Sequence, residues 1–493
     1  LEDKTFLWAL KGGAQGVTPQ ILGIVPDLPL PISLSEGQAR AQTLSLALSS
    51  APQVAILEKE EADLEAEGVF EQVLARGIAA SSGWAAGPVC VIKDYSQVVP
   101  SSLKGVILAV DSFEPIHLPW LKAAAGLICE KGGITSHGAI MARELGCPAV
   151  VGVADITQIL ATGQWVALRG DVGEIYACDA KDARAFVAPK QPPATALPQF
   201  PLATQLLVSC SQPSQLKALA KAKCDGVGLV RGEWLLWGQL EQFTDNTVDD
   251  FTQLQQSIAE DLVAMARTVA PRPLYYRSID ADALDRNWLN RTERMGTEQN
   301  PAIGTRGILR YQANAAQFDA ELRLLKGLLD QGICNLRLIL PFVRSPEEVV
   351  FCSQRMQAMG LDPEHELPLW MMAEVPSVLF GLERYKDAGI QGITVGLNDW
   401  AQLLLGIDRD HPAFYSLLMQ NQAPLKQAIV QLVRQASALN LPSIVCGSIV
   451  PQMLESWLEQ LIHAGLTGVC VDMESLSSMR QAIARVEARL STP

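Results

Sequence analysis

The sequence predicts an α/β protein in two parts, a compact β/α domain followed by a parallel (β/α)₈ barrel. Three observations carry this expectation. Beyond Pro201, eight short apolar runs recur over about 290 residues with helical text between them, the pattern of a parallel barrel. Ahead of them, a separate set of short β-type runs alternates with turns and helices. A proline-rich stretch, Ala188–Pro201 (APKQPPATALPQFP), divides the two sets. A doubly wound open sheet fits the same alternation and stands as the structural alternative to the barrel.

Leu1–Leu74 opens on Gly/Pro-rich text and turns helical and acidic around Leu57–Glu67 (LEKEEADLEAE); it holds no motif that assigns a role. The first domain is expected over 75–188, with β-type runs such as Pro88–Ile92 and Gly105–Val110. Residues 189–201 form a connector whose composition favours extended, semi-rigid polyproline conformation. It reads equally as an ordered surface connector and as a hinge. The barrel is expected over 202–493. Its strands are Leu206–Cys210, Gly226–Val230, Pro273–Ile279, Leu336–Leu340, Leu369–Glu374, Gly392–Gly396, Ser443–Cys446 and Gly468–Asp472. Polar residues cluster at their C-terminal ends, where barrels of this kind place their chemistry.

At 493 residues with 48% hydrophobic and 19% charged residues, the chain is long and apolar enough for two or three domains with sizeable cores. A net charge of −14 argues against nucleic acid and anionic membranes as main partners. An anionic ligand must therefore find its positive charge locally. Ten cysteines are scattered with no CxxC pair, which predicts reduced thiols and a cytoplasmic protein. No run of eighteen apolar residues and no signal-peptide text occurs. The first residue is Leu rather than Met, so the chain is expected to be processed or to be a piece of a longer protein.

The most specific text is Lys131–Gly152, KGGITSHGAIMARELGCPAVVG. Gly132-Gly133 permits a tight turn, Thr135-Ser136 supply N-cap residue types, and Gly138–Leu145 reads as a helix ended by Gly146 and Pro148. His137 then sits at a helix N-terminus, where free N–H groups and the helix dipole favour an anion. The Thr135 hydroxyl is placed to fix the imidazole tautomer. His117, His365, His411 and His463 have no such context and read as surface or core residues.

This string resembles the signature of the PEP-utilising enzymes, and the resemblance extends from about Gly77 to the C-terminus. It implies a phosphohistidine swivelling domain, with His137 carrying the phosphoryl group, ahead of a barrel that binds phosphoenolpyruvate or pyruvate. Asp225–Leu236 (DGVGLVRGEWLL) looks like the family's second-strand motif, with Arg231 and Glu233 in place. By resemblance, Arg277 in YYRSID and Arg306 in NPAIGTRGILRY bind the ligand's phosphate and carboxylate, a task that suits the rigid donor fork of guanidinium. Glu374 in MMAEVPS and Asp399 in VGLNDWAQ match the family's metal-binding carboxylates, which implies Mg²⁺ as cofactor. Gly396, Leu397 and Asn398 fall where the family holds the substrate, and Arg409 in LLGIDRDHP also has a ligand-binding counterpart. Cys446 in SIVCGSIVP matches the cysteine that moves a proton at C3 of the three-carbon acid. Two positions depart from the family: Leu397 stands where Thr or Ser is usual, and Ser448 where Glu or Gln is common.

Among relatives, enzyme I of the sugar phosphotransferase system inserts a long helical domain between its Gly-Ile-Ala-Ala-Ser segment and its histidine. Here Gly77–Ser81 lies only about sixty residues before His137, which leaves no room for it. Phe342–Ser345 and Leu405–Asp410 look more like phosphoenolpyruvate synthase than pyruvate phosphate dikinase. That resemblance implies transfer from ATP through His137 to pyruvate, with an ATP-grasp domain or subunit supplied elsewhere, because Leu1–Leu74 is too short to hold one. A dikinase-like enzyme and a non-catalytic PEP-binding regulator are the alternatives. A homodimer is compatible with the sequence.

Overall fold

The computed structural model describes residues 73–491 apart from 94–102, 115–116, 135, 186–201, 240–247, 281–302, 409–413 and 448–450, together with the backbone of 5–13 and 16–25. Thr135, the connector Ala188–Pro201, Arg409, His411 and Ser448 lie outside the described residues, as does most of Leu1–Leu74. The described part of that N-terminal segment includes an antiparallel hairpin of β1 (Thr5–Gly13) and β2 (Gly16–Val25).

The next eight strands form one mixed sheet. They are β3 (Val73–Arg76), β4 (Ile78–Ser81), β5 (Trp84–Ile92), β6 (Ile107–Val110), β7 (Gly126–Cys129), β8 (Ala149–Val151), β9 (Trp165–Arg169) and β10 (Glu174–Ala177), in the order β3-β10-β9-β5-β6-β7-β8-β4. Pairs from β5 to β8 are parallel and the flanking pairs antiparallel. The sequences ILAV of β6 and GLIC of β7 are buried at every position. Uninterrupted apolar runs of this kind belong to strands covered on both faces, and a separate apolar cluster packs on each side of the sheet.

Eight parallel strands then close a barrel, β11 (Gln205–Ser209), β12 (Val227–Arg231), β13 (Leu274–Arg277), β14 (Leu336–Leu340), β15 (Leu369–Met372), β16 (Gly392–Gly396), β17 (Ser443–Cys446) and β18 (Gly468–Val471). The open-sheet alternative is thereby excluded. Leu207, Leu229, Tyr275, Ile339, Trp370, Ile444 and Cys470 fill the interior, while a larger apolar layer lies between strands and outer helices. Tyr275 meets Trp370 edge-on at 4.8 Å. Trp370 spans the interior at the level of Gly392, where a Cβ would come within 2.5 Å of the indole. No helix among the described residues is long and apolar enough to cross a membrane, and none of the ten cysteines forms a disulfide.

The two parts meet at the C-terminal mouth of the barrel. Glu144, in the helix His137–Leu145, accepts hydrogen bonds from Ser209 at the end of β11 (3.0 Å) and from Arg231 at the end of β12 (2.5 Å). Trp234, in the helix Gly232–Gln239 that follows β12, packs within the apolar cluster of the first domain beside residues such as Leu118 and Ile140.

Gly392→Ala is expected to destabilise the barrel by about 1–3 kcal/mol, the usual cost of overpacking a filled interior. Urea unfolding would register this as a lower midpoint at unchanged slope. A midpoint equal to the parent's would mean that Trp370 moves aside freely.

Candidate active site at the barrel mouth

The ends of β12, β13 and β16, with the segment just before the helix Ile308–Ala313, bring a chain of buried ionic contacts together. Arg277 closes β13 and donates to Glu233, from the helix after β12, in a very short contact. Three residues on, Asp280 lies 3.6 Å from Arg277 and accepts both Nε (3.2 Å) and Nη2 (2.5 Å) of Arg306. Arg306 continues through Nη1 to Asp399 at 3.0 Å. The Asp280 carboxylate also takes the Gly307 amide at 3.1 Å, and its own amide is held by Glu233. All five charged residues are buried. Burial alone would lower the Arg277 pKa. Glu233 and Asp280 more than offset it, so the guanidinium is held above its ordinary value.

Glu374 lies two residues past the end of β15 and is 1% exposed. Its Oε1 accepts the Phe342 amide at 3.0 Å. Its Oε2 sits so close to Gly396 that a Cβ there would come within 2.3 Å, which explains a glycine at the end of β16. Burial, then the neighbouring Asp399 charge, push the Glu374 carboxyl up to about 8. Asp399 stands in the first turn of the helix Leu397–Leu405 rather than on the strand itself. Phe342 has φ of +44°, a left-handed conformation that is costly for a bulky residue. The turn presents its amide to Glu374 and puts its ring under the Arg306 guanidinium at 4.2 Å.

Glu233, Asp280, Glu374 and Asp399 set four carboxylates against the guanidiniums of Arg277 and Arg306. With every group ionised, negative charge is in excess by two. The excess of carboxylate is compatible with one hard divalent cation, for which Glu374 and Asp399 would be the ligands, with the rest of its shell drawn from ligand and water oxygens. Among the described residues no cluster of three or more His, Cys, Asp or Glu forms a ready-made metal cage. The Oδ1 atom of Asn398 is buried without a hydrogen-bond partner, a further polar atom suited to a ligand.

Cys446 ends β17 and pairs in register with Gly396 of β16 and Cys470 of β18. Burial pushes its thiol up to about 12, against the pull of Arg231 and Arg277, while Glu374 and Asp399 push the same way as burial. A thiol so placed is protonated at neutral pH. Leu397 enters the apolar layer behind the strand, so its departure from Thr or Ser trades a hydroxyl for core packing, and only its backbone is left for a ligand.

His137 is the first residue of its helix and is half-buried. Gly146 ends the helix with φ of +63°, as expected. Ser136 occupies the N-cap position but makes no side-chain cap. Its Oγ donates instead to the Gly133 carbonyl at 2.7 Å, so Ser136 is the N-cap residue as expected while its hydroxyl braces the preceding turn. At Gly132 φ is +102° and a Cβ would press on Ser136 at 2.8 Å. Arg143 donates to the Ile134 carbonyl at 2.7 Å and ties the loop before His137 to the helix. His117 is buried and stacks on Trp120 at 4.8 Å, and His365 is exposed beside Asp362. Both accord with the structural roles expected of them.

Of the residues singled out by sequence, Arg277, Arg306, Glu374, Gly396, Asn398, Asp399 and Cys446 converge on one end of the barrel. Asp280, Phe342 and Glu144 were not anticipated. The Asp280 signal is a carboxylate three residues after a strand-end arginine in RSID. Glu144 reads locally as an ordinary helical surface residue.

Two family models match the chain, that of the PEP-binding domain of PEP-utilising enzymes over 194–488 and that of their mobile domain over 103–173. A probable phosphoenolpyruvate synthase of Archaeoglobus fulgidus is 30% identical over 88% of the chain and 56% of its own length. The phosphoenolpyruvate synthase of Pyrococcus furiosus is 30% identical over 88% of the chain and 53% of its own length. A probable phosphoenolpyruvate synthase of Staphylothermus marinus is 28% identical over 94% of the chain and 58% of its own length. The chain thus spans somewhat more than half the length of these relatives.

Asp280→Ala removes the carboxylate that both guanidiniums share. Loss of one partner from a buried ion pair typically costs about 3–5 kcal/mol, so the barrel's urea midpoint should fall accordingly. An unchanged midpoint would show that Glu233 and Asp399 suffice to hold both arginines.

Proposed function

The chain belongs to the PEP-utilising enzyme family, and from that premise we propose that it exchanges a phosphoryl group between His137 and pyruvate/phosphoenolpyruvate at the mouth of its barrel. The observation that carries this reading is the seating of the His137 helix on the same mouth where Arg277, Arg306, Glu374, Asp399 and Cys446 meet. The synthase-named relatives support a finer version. In it, ATP, pyruvate and water give AMP, phosphoenolpyruvate and phosphate, and an ATP-grasp part loads His137.

In the direction from phosphoenolpyruvate, Arg277 and Arg306 bind the phosphate and carboxylate. They exchange part of their hold on Asp280 for the ligand's oxygens. An imidazole nitrogen of His137 attacks phosphorus; the P–N bond forms as the P–O bond to the enol oxygen breaks. Glu374 and Asp399 would hold Mg²⁺, which when bound stabilises negative charge on the enolate oxygen. Cys446, kept protonated by burial, delivers its proton to C3 and yields pyruvate, and the thiolate is reprotonated from solvent. In the opposite direction the thiolate removes a methyl proton from pyruvate. Asn398 would orient the acid by donating from its amide N–H, its Oδ1 being an acceptor, and the Gly396 backbone leaves room beside Glu374.

Incubated with phosphoenolpyruvate and Mg²⁺, the chain should acquire acid-labile phosphate on His137 and release pyruvate, with no nucleotide present. Mass spectrometry finding no such phosphate, or label that survives in His137→Ala, would overturn the reading. Cys446→Ala should still bind phosphoenolpyruvate but lose exchange of the pyruvate methyl protons with deuterated solvent by at least about tenfold, on the scale of a lost general acid. Normal exchange, followed by NMR, would remove the thiol from the mechanism.

A further inference from the structure

The helix His137–Leu145 meets the barrel through its last turn. Glu144 is 4% exposed although it is ionisable. Its Oε1 accepts Arg231 at 2.5 Å and Ser209 at 3.0 Å, its own carbonyl accepts Gln215 at 2.5 Å, and its Oε2 is buried with no partner. Arg231, Ser209 and Gln215 all belong to the barrel. Burial, opposed by Arg231 and Ser209, pushes the carboxyl up to about 7, with Glu233 adding to the rise. Beside it Arg143 faces the reverse way, 3.8 Å from Asp472 at the end of β18. Arg231 also lies over the Trp234 indole at 4.6 Å, and Trp234 is the barrel residue that enters the first domain's apolar cluster. Two adjacent residues of opposite charge thus meet two barrel residues of opposite charge around one aromatic anchor. Interfaces fix register and orientation in this way.

His137 and Glu144 are seven residues apart, two helical turns, so they share one face of the helix at a rise of roughly 10 Å. Fixing Glu144 therefore constrains the helix that carries His137. We propose that Glu144 is the positioning residue of the phosphoryl exchange. It registers the mobile domain on the barrel through Arg231 and Ser209, and so sets His137 over the three-carbon-acid site. Arg143 contributes by joining the docking surface to the loop before His137 through Ile134. The inference rests on the reading of His137 given above and deepens it.

The test uses the full chain with Glu144→Ala and Glu144→Gln, and two phosphoryl donors. Phosphoenolpyruvate needs the barrel; phosphoramidate, a small chemical donor, needs only an accessible imidazole. Glu144→Ala is expected to slow labelling by phosphoenolpyruvate at least about tenfold, since truncating one side of a buried charge pair is costly. Labelling by phosphoramidate should stay within about twofold of the parent. Glu144→Gln keeps an oxygen for Arg231 and Ser209 and should recover part of the rate. Amide hydrogen exchange of 206–215, on the barrel side, should rise in Glu144→Ala. A parent-like rate with phosphoenolpyruvate overturns the proposal, and so does an equal loss with both donors, which would mark a folding role for Glu144. If the parent itself takes no phosphate from phosphoenolpyruvate, the proposed function has failed. Amide exchange then decides the docking alone, with higher exchange in Glu144→Ala supporting it and unchanged exchange overturning it.

Discussion

Asp280 is the point on which the barrel mouth turns. Its carboxylate takes both arms of Arg306, reaches Arg277 and holds the Gly307 amide. Two guanidiniums that would repel each other in a desolvated space are thereby held close together. The price is an excess of carboxylate, which the raised pKa of Glu374 relieves in part. A site built this way holds its arginines in place before any ligand arrives, so an anion replaces an internal partner rather than ordering loose side chains.

The same economy explains two backbone oddities. Phe342 accepts a left-handed conformation so that its amide meets Glu374 and its ring supports Arg306. Gly396 gives up its side chain so that the Glu374 carboxylate can lie against the end of β16. Both strain and glycine are thus spent on the position of one carboxylate, and it is one of the two suited to a cation.

Much of this was legible in the sequence where a signal is local. Leu336–Leu340, Gly392–Gly396 and Ser443–Cys446 were read as strands residue for residue, because buried parallel strands are unbroken apolar runs between breakers. Arg277, Arg306, Glu374, Asp399 and Cys446 stand in motif text that is local in sequence, and the structure brings them to one end of the barrel. What escaped depends on partners distant in the chain. Glu144 finds Arg231 across 87 positions, and Asp280 finds Arg306 across 26. Ser136 takes the N-cap position expected of it, but its hydroxyl goes to the Gly133 carbonyl rather than to a helix amide. Helix-start patterns carry no information about such competition.

Trp234 gives the docked arrangement a clock. It is 3% exposed because the first domain covers it, so a departure of that domain from the barrel must hydrate an indole. Uncovering a large aromatic of this kind costs roughly 2–3 kcal/mol. Where that contact is already lost at the barrier to leaving, departure slows by about 30- to 150-fold. One side chain would thus lengthen the time the first domain stays on the barrel.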